Sequence, residues 1–489
     1  MKNDHKHRYT PLVWTAAGTA VVIFAVAACL NAHDPGVTII TFQTPFASET
    51  SEFEQLKVIV DHFNEQPGAL RVELLPDGPS QAPRIIRRIL AGKAPHIMEI
   101  PLDELEQIAE RKAIQPVNLN SEPDEVFFSP GSLAPAAYAG AHVNGETYAA
   151  PVRARGVQLI YNADLLETRI ATWRQMLVTS DSLKRRFAES GIHPFGLAGR
   201  DDDGIAQLAM MLVHQAGGEL IERVPDEDNA MMWRMNLQDD SDSGARALRF
   251  LRDLAGYSPP ESAGWTRDDL LQAFADGRVA MFYGTSADVS RIRKTSPELP
   301  VAVMSAPRET AQASTVQFYG AIVTAPPEYR KQCERFLRYL VSVEAQTMIM
   351  YGGTERDEGF PVFEKVRIAP IARPDINEIE WYARHPQYRP FAEALMYARS
   401  PMPIAGWREV ERAAFIPQLQ QLLSGETDVD TAVEEMTGYG NQKLSTYYGY
   451  IGHVYPTTVL GMSLAAVFVF FMIFLTVGHR SRHTSESDG

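Results

Sequence analysis

VTIITFQTPFASETSEFEQLKVIVDHFNEQPGALRVELL (37–75) changes its hydrophobic period twice. VTIITF (37–42) is β-branched and apolar throughout, the pattern of a strand buried on both faces. SEFEQLKVIVDHFNEQ (51–66) repeats Phe53, Leu56, Val60 and Phe63 along one helical face, with Ser51 as its expected cap. LRVELL (70–75) returns to strand. The pattern then continues. QAPRIIRRILAGKAP (81–95) predicts a helix with Ile85, Ile86, Ile89 and Leu90 inward and Gly92 as its stop. HIMEI (96–100) predicts a third strand and LDELEQIAERKAI (102–114) a further helix. This β-α-β-α-β-α order implies an α/β fold with a parallel, doubly wound sheet, whose ligand sites lie at the carboxyl ends of the strands.

The two ends of the chain have a different character. VLGMSLAAVFVFFMIFLTV (459–477) carries no charge over a length of roughly 29 Å as a helix, close to the thickness of a bilayer core. His479, Arg480, Arg482 and His483 follow, which puts the C-terminus in the cytoplasm by the positive-inside bias. Tyr447, Tyr448, Tyr450 and Tyr455 precede it, as an interfacial belt or a Tyr-rich helix end. At the other end, MKNDHKHRYT is mostly basic and PLVWTAAGTAVVIFAVAACL apolar. That pattern suits a secretory leader or a signal anchor. Val26-Ala27-Ala28-Cys29 resembles the lipobox of bacterial lipoproteins, with Cys29 as the lipid-bearing residue, and an uncleaved N-terminal span is the alternative.

The expected organisation is a leader or anchor at 1–30, an extracytoplasmic body at 36–445, a transmembrane helix at 456–478 and a cytoplasmic tail at 479–489. NAHDPG (31–36) and the Tyr/Gly stretch 438–452 are the linkers. With 46 Lys+Arg against 61 Asp+Glu, the net charge is −15, and no basic stripe suits nucleic acid. A body of roughly 420 residues exceeds one core and points to two lobes. Cys29 and Cys333 are the two cysteines, so the body has no disulfide framework, and Cys333 reads as a small core residue.

The motifs, taken in order, resemble the extracellular solute-binding proteins of family 1, the sugar-binding class that serves ABC importers. TFQTPFASETSEFEQLKVIVDHFNEQ is similar to the family's opening strand, aromatic loop and first helix, and RRILAGKAPHIMEI to its passage into the third strand. GETYAAPVRARGVQLIYNADLLE (145–167) resembles the paired crossing strands, and TWRQML (172–177) a helix start. QAGGEL (215–220) and LLQAFADGRVAMFYGTSAD (270–288) resemble a glycine turn and a strand. FLRYLVSVEAQTMIMYGGTERDEGFPVFEKV (336–366) and LLSGETDVDTAVEEM (422–436) resemble the family's late helices and Gly-x-Pro loop. The resemblance runs from about 37 to 445. It implies a two-lobed, hinge-joined periplasmic-binding-protein fold of type II, with the ligand between the lobes. The chain would exchange lobes near 150–160 and again after about 285.

Sugars offer hydroxyls for hydrogen bonds and a weakly apolar ring face for stacking. The resemblance therefore places ligand contacts at Gln43, Thr44 and Phe46 after the first strand. It adds Asp103 after the third, unless Asp103 caps the next helix. Arg153 and Arg155 lie on the crossing strands. Tyr283 and Ser286 follow VAMFY, Phe318 and Tyr319 precede Gly320, and Arg356 lies in the Gly-rich loop. For each aromatic, plain core packing is the competing reading. Gln43 stands where the family often has Trp or His, and the two arginines stand where small polar residues are common. Arginine grips carboxylate or phosphate through a bidentate fork, so an anionic or phosphorylated sugar is one expectation. Pairing of these arginines with Asp or Glu is the other.

Nothing points to catalysis, a metal or a cofactor. Asp201-Asp202-Asp203-Gly204 lacks the spaced ligands of a calcium loop and reads as a turn before a helix at 204–214. His142, His193 and His214 lack zinc spacing, and neither Gly-x-Ser-x-Gly nor a phosphate loop occurs. Two roles follow. One is the capturing subunit of an ABC importer, which hands solute to a permease. The other is a membrane-fixed sensor that reports occupancy to a partner.

Overall fold

The computed structural model describes residues 37–120, 128, 129, 133–225, 231–342, 344–346, 348, 355–357, 360–362, 385–399, 404 and 406–446. The expected leader, Cys29, the span 456–478 and the tail lie outside these residues. Among the described residues, no helix is long and apolar enough to cross a membrane.

Strands β1 (Thr38–Gln43), β2 (Leu70–Leu75) and β3 (Ile97–Pro101) lie parallel, with β1 in the middle. Every residue of β3 is buried, which accounts for its continuous apolar run broken only by Glu99. The helix Ser51–Glu65 is capped by Thr50, whose hydroxyl accepts from the Phe53 amide, and not by Ser51. Leu56, Val60 and Phe63 face the sheet. Phe63 meets Phe336 edge to face at 5.0 Å, and Phe336 meets Phe42 at 5.6 Å. These three rings join the first helix, the sheet and the helix Arg330–Leu340 in one core. The helix Ala82–Leu90 buries Ile85 but leaves Leu90 76% exposed, which corrects the inward placement of Leu90. Leu90 is the last residue of the helix, where the chain turns off the sheet through Gly92 at φ +63°. The helix expected at 102–114 is shorter, a 3₁₀ turn Leu102–Glu104 followed by Leu105–Glu110.

The chain then changes sheets. β4 (Ala149–Gly156) belongs to the first sheet, and β5 (Gln158–Asn162) to a second one. Only Val157 separates them. The second sheet adds β6 (His193–Gly196), β7 (Val279–Gly284) and β8 (Val301–Met304) in the order β8-β5-β7-β6. β9 (Ser314–Val323) returns to the first sheet, where it pairs antiparallel with β3 and β4 and parallel with β10 (Ala398–Arg399). Gln158 ties the two crossings together. Its amide donates to the Ser314 hydroxyl at 3.1 Å and accepts from the Ala306 amide at 2.7 Å. Beyond β10, residues 404–446 pack against the second core, so the chain crosses a third time.

Among the described residues, the buried apolar side chains form two clusters, the first of which runs on from the first sheet to Phe274, Val279 and Phe282 of the second lobe. The first is built around Phe42, Phe318 and Phe336, the other around Phe195, Trp407 and Phe415. Cys333 is fully buried in the first.

Candidate functional site

A cavity of about 330 Å³ lies between the lobes. Ser80, Pro101, Arg155, Gln317 and Tyr319 face it from the first lobe. Asp201, Gln207, Arg267, Tyr283, Asp288 and Arg408 face it from the second.

The first-lobe wall follows from strand alternation. Along β9, Gln317 and Tyr319 take one face, and Phe318, with no exposure, takes the other and enters the core. Phe318 is therefore a packing residue, which corrects its expected place at the ligand. In the register of β4 with β9, Arg155 lies opposite Gln317 and Arg153 opposite Tyr319, so both arginines start on the cavity side. The next residue, Gly320, leaves no room for a side chain, since an added Cβ would come 2.5 Å from Leu102.

The two arginines then part. Arg153 is only 1% exposed, and its Nε lies 2.7 Å from Glu99, which also accepts from the Thr44 hydroxyl at 2.5 Å. Burial pushes the Glu99 carboxyl above its ordinary value, and Arg153 and Thr44 work against that. The Arg153 guanidinium also lies 4.7 Å over the Phe46 ring, and Phe46 packs on Tyr319 at 5.3 Å. Arg153 thus supports the wall from beneath, and its expected contact with ligand gives way to an ion pair. Arg155 lines the cavity, part-buried, in hydrogen-bonding contact with Tyr319. Burial disfavours its charge, but Tyr319, Glu52 and Asp288 outweigh that and hold its pKa above the ordinary value.

The second-lobe wall rests on Arg267. It bonds Asp288 through two nitrogens, donates to the Tyr283 carbonyl at 3.1 Å and lies 4.0 Å from Asp201. Burial acts against the charge of Asp288, but Arg267 and the Thr285 amide and hydroxyl outweigh it and keep this carboxyl below its usual range. Tyr283 presses its ring edge to Phe195 at 5.9 Å. Asp201 caps the helix Asp202–Gln215 through the Gly204 amide, so the expected surface turn is also part of the cavity wall.

One side chain joins the lobes. Arg408, at the start of the helix Trp407–Val410 in the second lobe, reaches Asp103 and Glu104 of the first at 3.4 Å each. It also holds Glu411 at 2.8 Å and Asp203 at 3.6 Å. Asp103 in turn accepts from Gln317 at 2.7 Å. Burial, then the charge of Asp103, raises Glu104 to about 6.

The chain matches the family model described as bacterial extracellular solute-binding protein over residues 58–370. It belongs to the bacterial extracellular solute-binding proteins. Solved structures share the fold. The cyclic α-maltosyl-1,6-maltose binding protein of Arthrobacter globiformis is 18% identical with a TM-score of 0.66, covering 84% of this chain and 100% of its own. The sugar-binding protein MalE of Xanthomonas citri is 15% identical with a TM-score of 0.68, covering 85% and 100%. An ABC transporter solute-binding protein of Thermotoga lettingae bound to α-D-tagatose is 19% identical with a TM-score of 0.64, covering 83% and 100%. These are two-lobed binding proteins of type II, and like them the chain binds rather than catalyses.

Within this solute-binding protein the remaining expected contacts are dispersed. Gln43 spends both ends of its amide inside the first lobe, on the Pro76 carbonyl and on Arg88, each at 2.9 Å. Thr44 is fully buried against Glu99, and Ser286 lies 1% exposed beside the wall. Arg356 sits on a hairpin opposite Pro361, and its side chain lies outside the described residues. Arg155, Tyr283 and Tyr319 line the cavity, while Phe46 and Asp103 stand directly behind it. Arg267, Asp288, Gln317 and Arg408 were not foreseen. Arg408 meets Glu411 and Asp288 meets Thr285 three positions away, but the partners that build the wall lie 16 to more than 300 positions away, and no local pattern marks those pairs. Among the described residues, no group of three His, Cys, Asp or Glu side chains is arranged to hold a metal ion.

Proposed function

We propose that this solute-binding protein captures a carbohydrate, neutral or acid-bearing, between its lobes and passes it to the permease of an ABC importer. One observation carries the reading. The cavity sets tyrosine rings, Tyr319 and Tyr283, beside polar groups already held in place, Gln317 by Asp103 and Arg267 by Asp288. Rings offer a stacking face, and pre-positioned amides, carboxylates and guanidinium groups match the hydroxyls of a sugar at small reorganisation cost. The sugars named for the structural relatives point the same way. Calorimetric titration of the full chain in detergent with a panel of mono- and oligosaccharides tests it. At least one sugar is expected to bind, and Tyr319→Ala to weaken it about tenfold, roughly 1.4 kcal/mol. Heat from amino acids or peptides with none from any sugar would overturn the reading.

The apolar run 459–477 and the lipobox-like Val26-Ala27-Ala28-Cys29 support tethering of the body to the outer face of the membrane, with the C-terminus in the cytoplasm. Tethering raises the local concentration of the receptor at its permease. The same run supports a second reading, a sensor that reports occupancy to a membrane partner. Recovery of permease subunits in a pull-down of the full chain favours import, and recovery of a kinase favours sensing.

A further inference from the structure

The arginines around the cleft divide by their counterions. Arg153 beneath the wall is paired with Glu99, which leaves that pair neutral. Arg267 bonds Asp288 and lies near Asp201, and Arg408 holds carboxylates of both lobes. Arg155 is different. It lines the cavity part-buried, its hydrogen-bonding contact is the uncharged phenol of Tyr319, and among the described residues no carboxylate lies within ion-pair distance of it. Glu52 and Asp288 act on it across space. Those acids keep the guanidinium charged without touching it, so its N–H donors face the cavity with no carboxylate in contact among the described residues. A ligand can supply one, and a guanidinium offers a planar fork suited to carboxylate or phosphate oxygens.

We propose that Arg155, with Tyr319 beside it, is the seat for a single anionic group on the ligand, so that the bound solute is a sugar carrying one carboxylate or one phosphate. The inference rests on the carbohydrate reading above and narrows it. The limit of one follows from the rest of the wall. Asp201, Asp203 and Asp288 face the same space, and their arginine partners are already engaged. A second anionic group on the ligand meets these carboxylates, and among the described lining residues no further arginine is left without a carboxylate partner.

Four ligands titrated into the full chain in detergent test it. They are maltotriose, a trisaccharide ending in one glucuronic acid, a tri-uronate, and glucose 6-phosphate. The expected result is that one of the two singly acidic probes binds at least about tenfold more tightly than maltotriose and the tri-uronate. A carboxylate site selects the mono-uronate and a phosphate site the sugar phosphate. Added salt weakens the preferred probe and leaves maltotriose unchanged. Arg155→Gln removes the preference and Arg155→Lys keeps part of it, with melting curves of both variants confirming that they fold. Should maltotriose bind as well as both acidic probes, with no salt dependence, the anionic seat is wrong and the carbohydrate reading survives. Tightest binding of the tri-uronate overturns the limit of one anionic group. Absence of heat from all four, with binding of a ligand other than a sugar, removes both proposals.

Discussion

Arg153 and Arg155 are two positions apart on one strand, start on the same face, and end in opposite circumstances. Arg153 is sealed over Glu99 and under Phe46; Arg155 looks into the cleft. Fully desolvated charges are tolerable only as a pair, so removing one leaves the other stranded. Arg153→Met is expected to destabilise the protein by about 3–5 kcal/mol, read as a lowered denaturant midpoint. Arg153→Met combined with Glu99→Leu is expected to recover most of that loss, because the buried carboxylate goes too. A single variant as stable as the parent would mean that water reaches Glu99. The same two residues show what a sequence can and cannot convey. Two arginines on a crossing strand were visible at once. Which of them is neutralised depends on Glu99 and Thr44, which lie on other strands or loops more than 50 positions away.

At the level of single elements, the short turn Leu102–Glu104 after β3 carries two acids into the interface between the lobes. Glu104 is 5% exposed, accepts from the Ala82 amide at 2.9 Å, and titrates at about 6 against an ordinary 4.5 because burial and Asp103 disfavour its charge. A carboxyl raised in the folded state binds its proton more tightly there than in the unfolded chain. Its contribution is therefore fully present below pH 4.5 and lost as the pH rises through 6. That difference amounts to about 2 kcal/mol. Glu106, raised to about 7 by burial and then by Glu110, acts in the same direction. Melting at pH 5 is expected to exceed melting at pH 7.5, with the gap reduced in Glu104→Gln. A flat profile across that window would show Glu104 to be hydrated. The strand and two helices that precede this turn could be read from periodicity alone, since each needs only its own apolar face. The turn could not, because its acids are held by Arg408 and Ala82.

Among the described residues the chain crosses three times between its two sheets, and the lobes are tied at the hinge by Gln158 and at the cleft by Arg408. Arg408 has no long-range partner visible in its surroundings in the chain, yet it reaches Asp103 and Glu104 some 300 positions earlier. Closure of the lobes is favoured by any contact made only when they meet, and Arg408 makes such contacts. Arg408→Ala is expected to raise the radius of gyration in small-angle scattering and to weaken ligand about tenfold, since less of the population is closed. An unchanged radius and affinity would place the clasp outside the closing motion.

The sequence by itself determined the βαβαβ start, the two-lobed division, the capture of a solute as the class of function, and which strands would carry tyrosine and arginine. Each of these depends on hydrophobic period, chain length or ordered motifs, which are properties of neighbouring residues or of the chain as a whole. Only the tertiary structure decided that Phe318 packs inward, that Arg153 is neutralised while Arg155 is not, and that Arg408 spans the cleft. The first turns on which face of β9 meets the core, and the other two on which charges come within 4 Å of one another. Electrostatic pairing between remote segments leaves no periodic trace along the chain.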